Sequence, residues 1–500
     1  MHSLYSPVLA ALVSIAPVVQ AQPDLIIRDV VIVSPDSPHD GERTDIAIVD
    51  GRISEIGPDL SGHGRQELDG EGGYLVPGLI DAHVHLYHAT GLRAGLAADY
   101  ESLRAGFMRQ QPRSFLYYGY TSVVELNAIA AANARFEASP VHPRLFHCGQ
   151  GVVLPDGFMS LEFAPDEFAA SFPNFLHDPA GSNYLPDGAD PAAHTPDAVL
   201  DAIQADGGRC VKLYYEEALW WPGGPPPFAL PSVDALTAVH EAAAARSMPV
   251  FLHATTPDGF TAGLEAGLDA FAHGLWEWPD EGFAATEPSE ATQALSDRLA
   301  GSGAYLQPTF RTLRNTQSLF HPESLLDPAW ETVVGADYLA YLTTDAQPQR
   351  DQFLGRFRSL LPDGTTDADM PGLQDNFNAR YRALIGDYYR QGGKLSFGTD
   401  TAVGGFGWAS PPGLAGYWEM LDWAEAGIVP RDILAAATVV NARLLGLQDE
   451  LGLIDRGLRA DLILLRSDPR VDISAMSDIR TVILDGSPLA RDSLSARARP

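Results

Sequence analysis

The residues best suited to chemistry stand at the ends of short apolar runs. Pro77-Gly-Leu-Ile-Asp-Ala-His83-Val-His85 closes such a run with two histidines two positions apart, and strand alternation turns both imidazoles to one face. A His-x-His pair alone is as readily structural as metal-binding. Three more residues change the balance. His253 closes Pro249-Val-Phe-Leu-His253, His273 closes Asp269-Ala-Phe-Ala-His273, and Asp400 closes Leu395-Ser-Phe-Gly-Thr-Asp400. Singly, such a histidine is usually a hydrogen-bonded core residue, and a Thr-Asp after glycine a helix N-cap. Together the five residues form an imidazole and carboxylate set suited to divalent cations.

Lys212 lies inside Arg209-Cys-Val-Lys-Leu-Tyr-Tyr215 and is, with Lys394, one of only two lysines in a chain with 33 basic residues. A buried ammonium is costly. An edge strand would let the lysine reach solvent, but a closed barrel has no edge. Desolvation lowers a lysine pKa, so the neutral amine can add CO2 and become a carbamate, an anionic two-oxygen ligand able to bridge two metal ions.

These residues need a scaffold that brings distant strand ends to one rim. Eight apolar runs recur, each followed by a polar or helical stretch: Val76–Leu86, Thr121–Glu125, Arg144–Cys148, Cys210–Tyr214, Pro249–His253, Ala270–His273, Tyr305–Phe310 and Leu395–Gly398. That is the pattern of parallel strands with crossover helices, and the number matches a (β/α)8 barrel. Two long connections, Gly149 to Gly208 and Arg311 to Lys394, would emerge at the C-terminal face as candidate lids. The second carries helical stretches at Asp337–Thr343 and Asp375–Gln391. Both chain ends have β texture, Asp24–Val33 and Asp45–Asp50 at one, Ala460–Leu465 and Thr481–Leu484 at the other, and are expected to share one small sheet domain.

Charge and cysteine usage limit the partners. Sixty-five acidic against 33 basic residues, a formal charge of −32, repel nucleic acid and anionic lipid. Cys148 and Cys210 are too few for a disulfide scaffold and are expected as buried free thiols. An apolar run from Val8 to Val19 followed by Gln20-Ala21 resembles a signal peptide, 1–21, and implies a periplasmic or secreted protein. No other stretch reaches the roughly 18 apolar residues that a membrane span needs.

Taken together, these motifs resemble the amidohydrolase superfamily, in the branch near imidazolonepropionases and prolidase-like dipeptidases with a carboxylated lysine. The resemblance runs over roughly residues 24 to 490 and rests on Pro77–His85, Gly119-Tyr-Thr-Ser-Val-Val124, Val211-Lys212-Leu213, His253-Ala254, Ala272-His-Gly274 and Gly398-Thr-Asp400. A later stretch adds to it, from Ala437-Thr438 through Leu445-Gly-Leu447 and Gly452-Leu-Ile454 to Ala460-Asp-Leu462. It implies an α/β fold, a (β/α)8 TIM barrel over 74–448 with a small β-sandwich domain built from both chain ends, 22–73 and 449–500. It makes His83, His85 and Asp400 ligands of one metal, His253 and His273 ligands of a second, and carboxylated Lys212 the bridge. Zinc is the metal expected, with other first-row divalent ions suiting the same donors.

The activity implied is metal-dependent amide hydrolysis, a bridging hydroxide attacking the C–N bond of a dipeptide-like, N-acyl amino acid or cyclic amide substrate, with Asp400 shuttling the proton. Ester, lactone or phosphoester hydrolysis on the same site, and an inactive binding scaffold, are the alternatives. The partner is a small molecule; whether the chain forms a homo-oligomer stays open. Tyr214 and Tyr215 follow the bridging lysine and are candidate substrate contacts, with ordinary packing the competing role. Trp220, Trp221, Trp276 and Trp278 could line an aromatic pocket or anchor lids. Two departures from the dipeptidase pattern stand out, Cys148-Gly-Gln-Gly where relatives carry a histidine, and Tyr417-Trp-Glu-Met420 where another carries His-x-Glu-Leu. Glu125 occupies a position where aspartate is frequent.

Overall fold

The computed structural model describes residues 22–498 except 93–98, 162–167, 169–170, 183, 220–227, 280, 283, 359–360, 362–363 and 403–409. The expected signal segment 1–21 and both Trp220 and Trp221 lie outside the described residues.

The first end of the chain forms β1 (Leu25–Ile32), β2 (Arg43–Val49) and β3 (Arg52–Gly57), an antiparallel meander, with β4 (Gln66–Asp69) and β5 (Tyr74–Pro77) pairing parallel to β1. Asp50 and Gly51 turn β2 into β3 with φ of 49° and 71°, the left-handed pair that an Asp-Gly hairpin supplies at little cost.

Eight parallel strands follow: β6 (Leu79–Val84), β7 (Tyr120–Glu125), β8 (Arg144–His147), β9 (Val211–Tyr214), β10 (Val250–His253), β11 (Ala270–Phe271), β12 (Tyr305–Leu306) and β13 (Lys394–Leu395). They pair as β6-β7-β8 and as β9-β10-β11-β12-β13. Hydrogen bonds tie the two sheets together at both edges. Arg209 N donates to His147 O at 2.8 Å and Val152 N to Lys212 O at 2.8 Å; at the other edge Ala82 N donates to Phe397 O and Asp400 N to His83 O. This is a TIM-barrel-like α/β arrangement. The run Val76–Leu86, expected as one strand, is two, because the chain passes from β5 to β6 at Gly78. A Cβ there would lie 1.9 Å from Thr121 Oγ1, so only glycine lets the strands approach.

The chain returns through β14 (Leu462–Leu465), β15 (Ile479–Leu484) and β16 (Ser487–Ala490), and β14 pairs antiparallel with β5. One eight-stranded sheet is thus built from both ends. Leu25, Ile27, Ile46, Ile48, Leu462 and Leu464 pack in one buried cluster, the physical reason the two ends stay together.

Helices cover the outer faces of the parallel strands. Val211, Leu213, Val250 and Leu252 pack with helix residues such as Val199, Leu200, Leu236 and Val239. Lys212 alternates with Val211 and Leu213 and therefore points to the other face. The second long connection is helical, including Ala336–Thr343 and Met370–Arg390. No helix among the described residues is long and apolar enough to cross a membrane.

The cysteines correct an expectation. Cys148 and Cys210 are not free thiols but form a disulfide, with Cα atoms 4.3 Å apart. Cys148 follows β8 and Cys210 precedes β9, so neighbouring strands bring together residues 62 positions apart.

Candidate metal centre

His83 and His85 leave the end of β6 on one side, and the turn after β13 brings Asp400 against them. Asp400 has φ of 57°, a left-handed conformation that aspartate tolerates better than most side chains. Its Oδ1 lies 3.1 Å from Nε2 of His83 and 3.1 Å from Nε2 of His85, and Oδ2 accepts from Thr312 Oγ1 at 3.1 Å. Asp81 fixes this junction: it accepts from the backbone N–H of His83 and of Thr399 and from Thr399 Oγ1. Burial pushes its carboxyl up to about 7 against those hydrogen bonds.

Lys212 arrives from β9, 1% exposed, with Nζ 3.5 Å from His83 Nε2. Burial brings its amine down to about 7, although Asp400 and Glu125 favour the cation. From β10 and the end of β11 come His253 and His273, ring centroids 4.6 Å apart, with His273 5.1 Å from His83. All six expected residues therefore meet at one end of the strands. The ligand atoms of His83, His85 and Asp400 lie within 4.8 Å of one another.

Protonation suits a cation site. Burial, reinforced by Lys212, pushes His83 and His253 down to about 3, and burial with His253 holds His273 well below its ordinary value. Neutral imidazoles are what metals bind. Burial opposes the Asp400 carboxylate, yet His83 and His85 hold it well below the usual range. His85 differs: burial disfavours its cation, but hydrogen bonds to Asp400 and Glu125 raise it to about 9. Both its nitrogens face carboxylates, so a positive charge is required between Nε2 and Asp400, supplied by a proton or by a metal ion. The donor set fits a divalent ion there.

Two carboxylates that sequence reading did not assign orient the imidazoles. Glu125, whose role was open, ends β7 and accepts from His85 Nδ1 at 3.0 Å and from the Asn127 N–H at 2.9 Å. Glu216 went unnoticed. It is 3% exposed and its Oε2 lies 2.7 Å from His253 Nε2, which leaves His253 only Nδ1 for a metal. Glu125 stands at a strand end beside the His83 strand, a signal that was readable. Glu216 lies two residues past β9, where no periodicity marks it. His273 Nδ1 is held by Thr309 Oγ1 at 2.9 Å.

Of the candidate substrate contacts, Tyr214 is at the centre, its ring 5.5 Å from Lys212 Nζ and 5.6 Å from the His253 ring. Tyr215 instead packs among the helix-facing core residues. Trp276 lies 5.2 Å from His273, ring to ring. Trp278 anchors, with Arg380 4.2 Å over its ring.

The comparisons with known proteins bear on the family and the fold. The amidohydrolase family model matches residues 378–489, the stretch that holds Asp400 and the return to the sheet. This match places residues 378–489 in the amidohydrolase family. Among curated relatives it is 40% identical over 84 residues to an allantoinase of Rubrobacter xylanophilus, covering 17% of this chain and 18% of that one. It is 27% identical over 228 residues to an imidazolonepropionase of Stenotrophomonas maltophilia, covering 42% and 52%. These matches span about half or less of the curated relatives. A solved Xaa-Pro dipeptidase with bound methionine shares the fold at a TM-score of 0.59 and 19% identity, over 93% of this chain and 99% of that one.

Proposed function

We propose that this protein is an exported, binuclear metal-dependent hydrolase that cleaves the C–N bond of a dipeptide-like, N-acyl amino acid or cyclic amide. The observation that carries the reading is the meeting of His83, His85 and Asp400 with Lys212, His253 and His273 from five strand ends. The reading takes the eight strands as a closed (β/α)8 barrel, 74–448, supported by the hydrogen bonds at both sheet edges. It takes 22–73 and 449–500 as a β-sandwich, supported by the shared cluster of both ends. Export is supported by the Cys148–Cys210 disulfide, since disulfides persist in oxidising compartments.

His83, His85 and Asp400 would hold one divalent ion, His253 and His273 the other, with zinc the metal of choice for this donor set. When bound, such ions polarise the scissile carbonyl and lower the pKa of water to about 7. Lys212 as the neutral amine adds CO2, forming an N–C bond and releasing one proton, so that a carbamate faces both histidine pairs. Asp400 takes the proton of the attacking water and gives it to the leaving nitrogen. Glu125 and Glu216 keep His85 and His253 in the tautomers that present a ligand nitrogen. Tyr214 stands where a substrate would cover the centre.

The test is a panel of dipeptides, N-acyl amino acids and cyclic amides set against matched esters, lactones and phosphoesters, run with elemental analysis of the same protein. Amide turnover with about two divalent ions per chain is the expected result. Turnover of esters alone would move the reading to the second electrophile class. Well under one ion per chain after growth in metal-supplemented medium would replace the enzyme by a scaffold.

A further inference from the structure

Away from the metal centre, the helix Glu101–Tyr117 and Tyr338 border a cavity of about 870 Å3 whose lining includes Arg104, Arg109, Arg113 and, from the helix Ala130–Glu137, Arg135. In a chain with 65 acidic and 33 basic residues, a guanidinium has carboxylates to choose from. Elsewhere it finds them: Arg144 pairs with Asp461 at 2.6 Å, Arg246 with Asp201 at 2.5 Å and Arg311 with Asp422 at 3.2 Å. Among the described residues none of the four cavity arginines forms an ion pair. Glu101 and Asp337 also border the cavity, but both are exposed and neither pairs with any of the four.

Three of the four are nevertheless held in place. Arg104 donates to Tyr87 O at 3.3 Å, Arg135 to Leu86 O at 2.6 Å, and Arg113 to Ser493 O. Each of these contacts uses one terminal nitrogen, and the other terminal nitrogen of each guanidinium makes no hydrogen bond among the described residues. Burial and the neighbouring Arg104 also push Arg135 below the usual guanidinium value. Two guanidiniums that repel each other, anchored by backbone carbonyls and lacking a counter-charge, are the arrangement that a bound anion relieves.

We propose that this cavity binds a small molecule bearing a carboxylate or phosphate group, gripped by Arg104 and Arg135. The site is separate from the metal centre, although Leu86 and Tyr87, which two of the arginines hold, follow His85 directly.

Titration calorimetry on the full chain tests it, with inorganic phosphate and succinate as separate probes at an ionic strength held constant with chloride. Saturable binding of at least one probe at one site per chain is expected. Phosphate alone, succinate alone or both identify which source the site accepts. Arg104→Gln with Arg135→Gln should weaken binding at least tenfold. Those changes also remove backbone contacts, so Arg109→Glu, at an exposed position on the same wall, is the second variant and should weaken binding severalfold. Absence of saturable binding of either probe overturns the proposal, as does unchanged affinity in Arg109→Glu.

Discussion

Glu125 accepts a hydrogen bond from Nδ1 of His85 at 3.0 Å, leaving Nε2 turned toward Asp400. The second oxygen of Glu125 accepts from the Leu86 N–H at 2.5 Å, so the carboxylate fixes both the ring and the backbone that carries it. A carboxylate behind a ligating imidazole sets its tautomer and raises its basicity. In Glu125→Gln the amide keeps the shape and loses the charge. Divalent-metal affinity should fall about 10- to 100-fold, measured by competition with a chelator of known affinity, while the thermal stability of the metal-free protein changes far less.

Glu216 does for His253 what Glu125 does for His85, at 2.7 Å, and in the proposed two-ion centre the two carboxylates would serve different ions. Glu216→Gln should therefore release one of two ions preferentially. Elemental analysis of the variant after dialysis against metal-free buffer should give about one divalent ion per chain where the parent retains about two. Equal loss of both ions would show that the halves do not bind separately.

The contrast between these glutamates and the six centre residues explains what could be read from the chain. His83, His85, Lys212, His253, His273 and Asp400 sit in or at the end of apolar runs, where alternation with Val211, Leu213 or Leu252 marks the face each takes. Glu216 lies beyond β9, in a segment whose course is set by the His253 strand next to it rather than by any local pattern. The disulfide was hidden for the same reason. Cys148 and Cys210 are distant along the chain, and only the pairing of β8 and β9 through the Arg209 and His147 backbone makes them neighbours. The break at Gly78 fell within an unbroken apolar run, because the glycine acts through Thr121, forty-odd positions away.

The disulfide closes a loop whose ends are 62 residues apart. On the chain-entropy account, a loop of that length stabilises the folded state by about 4 kcal/mol. Cys148→Ser with Cys210→Ser should lower the urea midpoint accordingly. Reduction of the parent with dithiothreitol should bring its unfolding curve onto that of the variant. If reduction leaves the parent unchanged, the bond does not form in solution.

Lys212 gives the centre a pH signature of its own. Its amine, buried at 1% exposure, titrates near 7 in the folded chain against an ordinary value of 10.5. Between those values the unfolded chain binds a proton that the folded chain does not. The stability of the metal-free protein should thus rise as pH goes from about 7 to 10.5, and this contribution is lost as pH falls through about 7. The swing is on the order of a few kcal/mol, since one pKa unit is about 1.4 kcal/mol. Chelated, CO2-free protein unfolded in urea across this range should show the slope, and Lys212→Met, which has nothing to titrate, should flatten it. The same amine must be unprotonated to add CO2, so metal loading should need bicarbonate and weaken below pH 7. Lys212→Ala should abolish turnover, with part of it restored by short carboxylic acids that fill the carbamate's place. Full turnover in Lys212→Ala without added acid would remove the bridge from the mechanism and leave two separately held ions in its place.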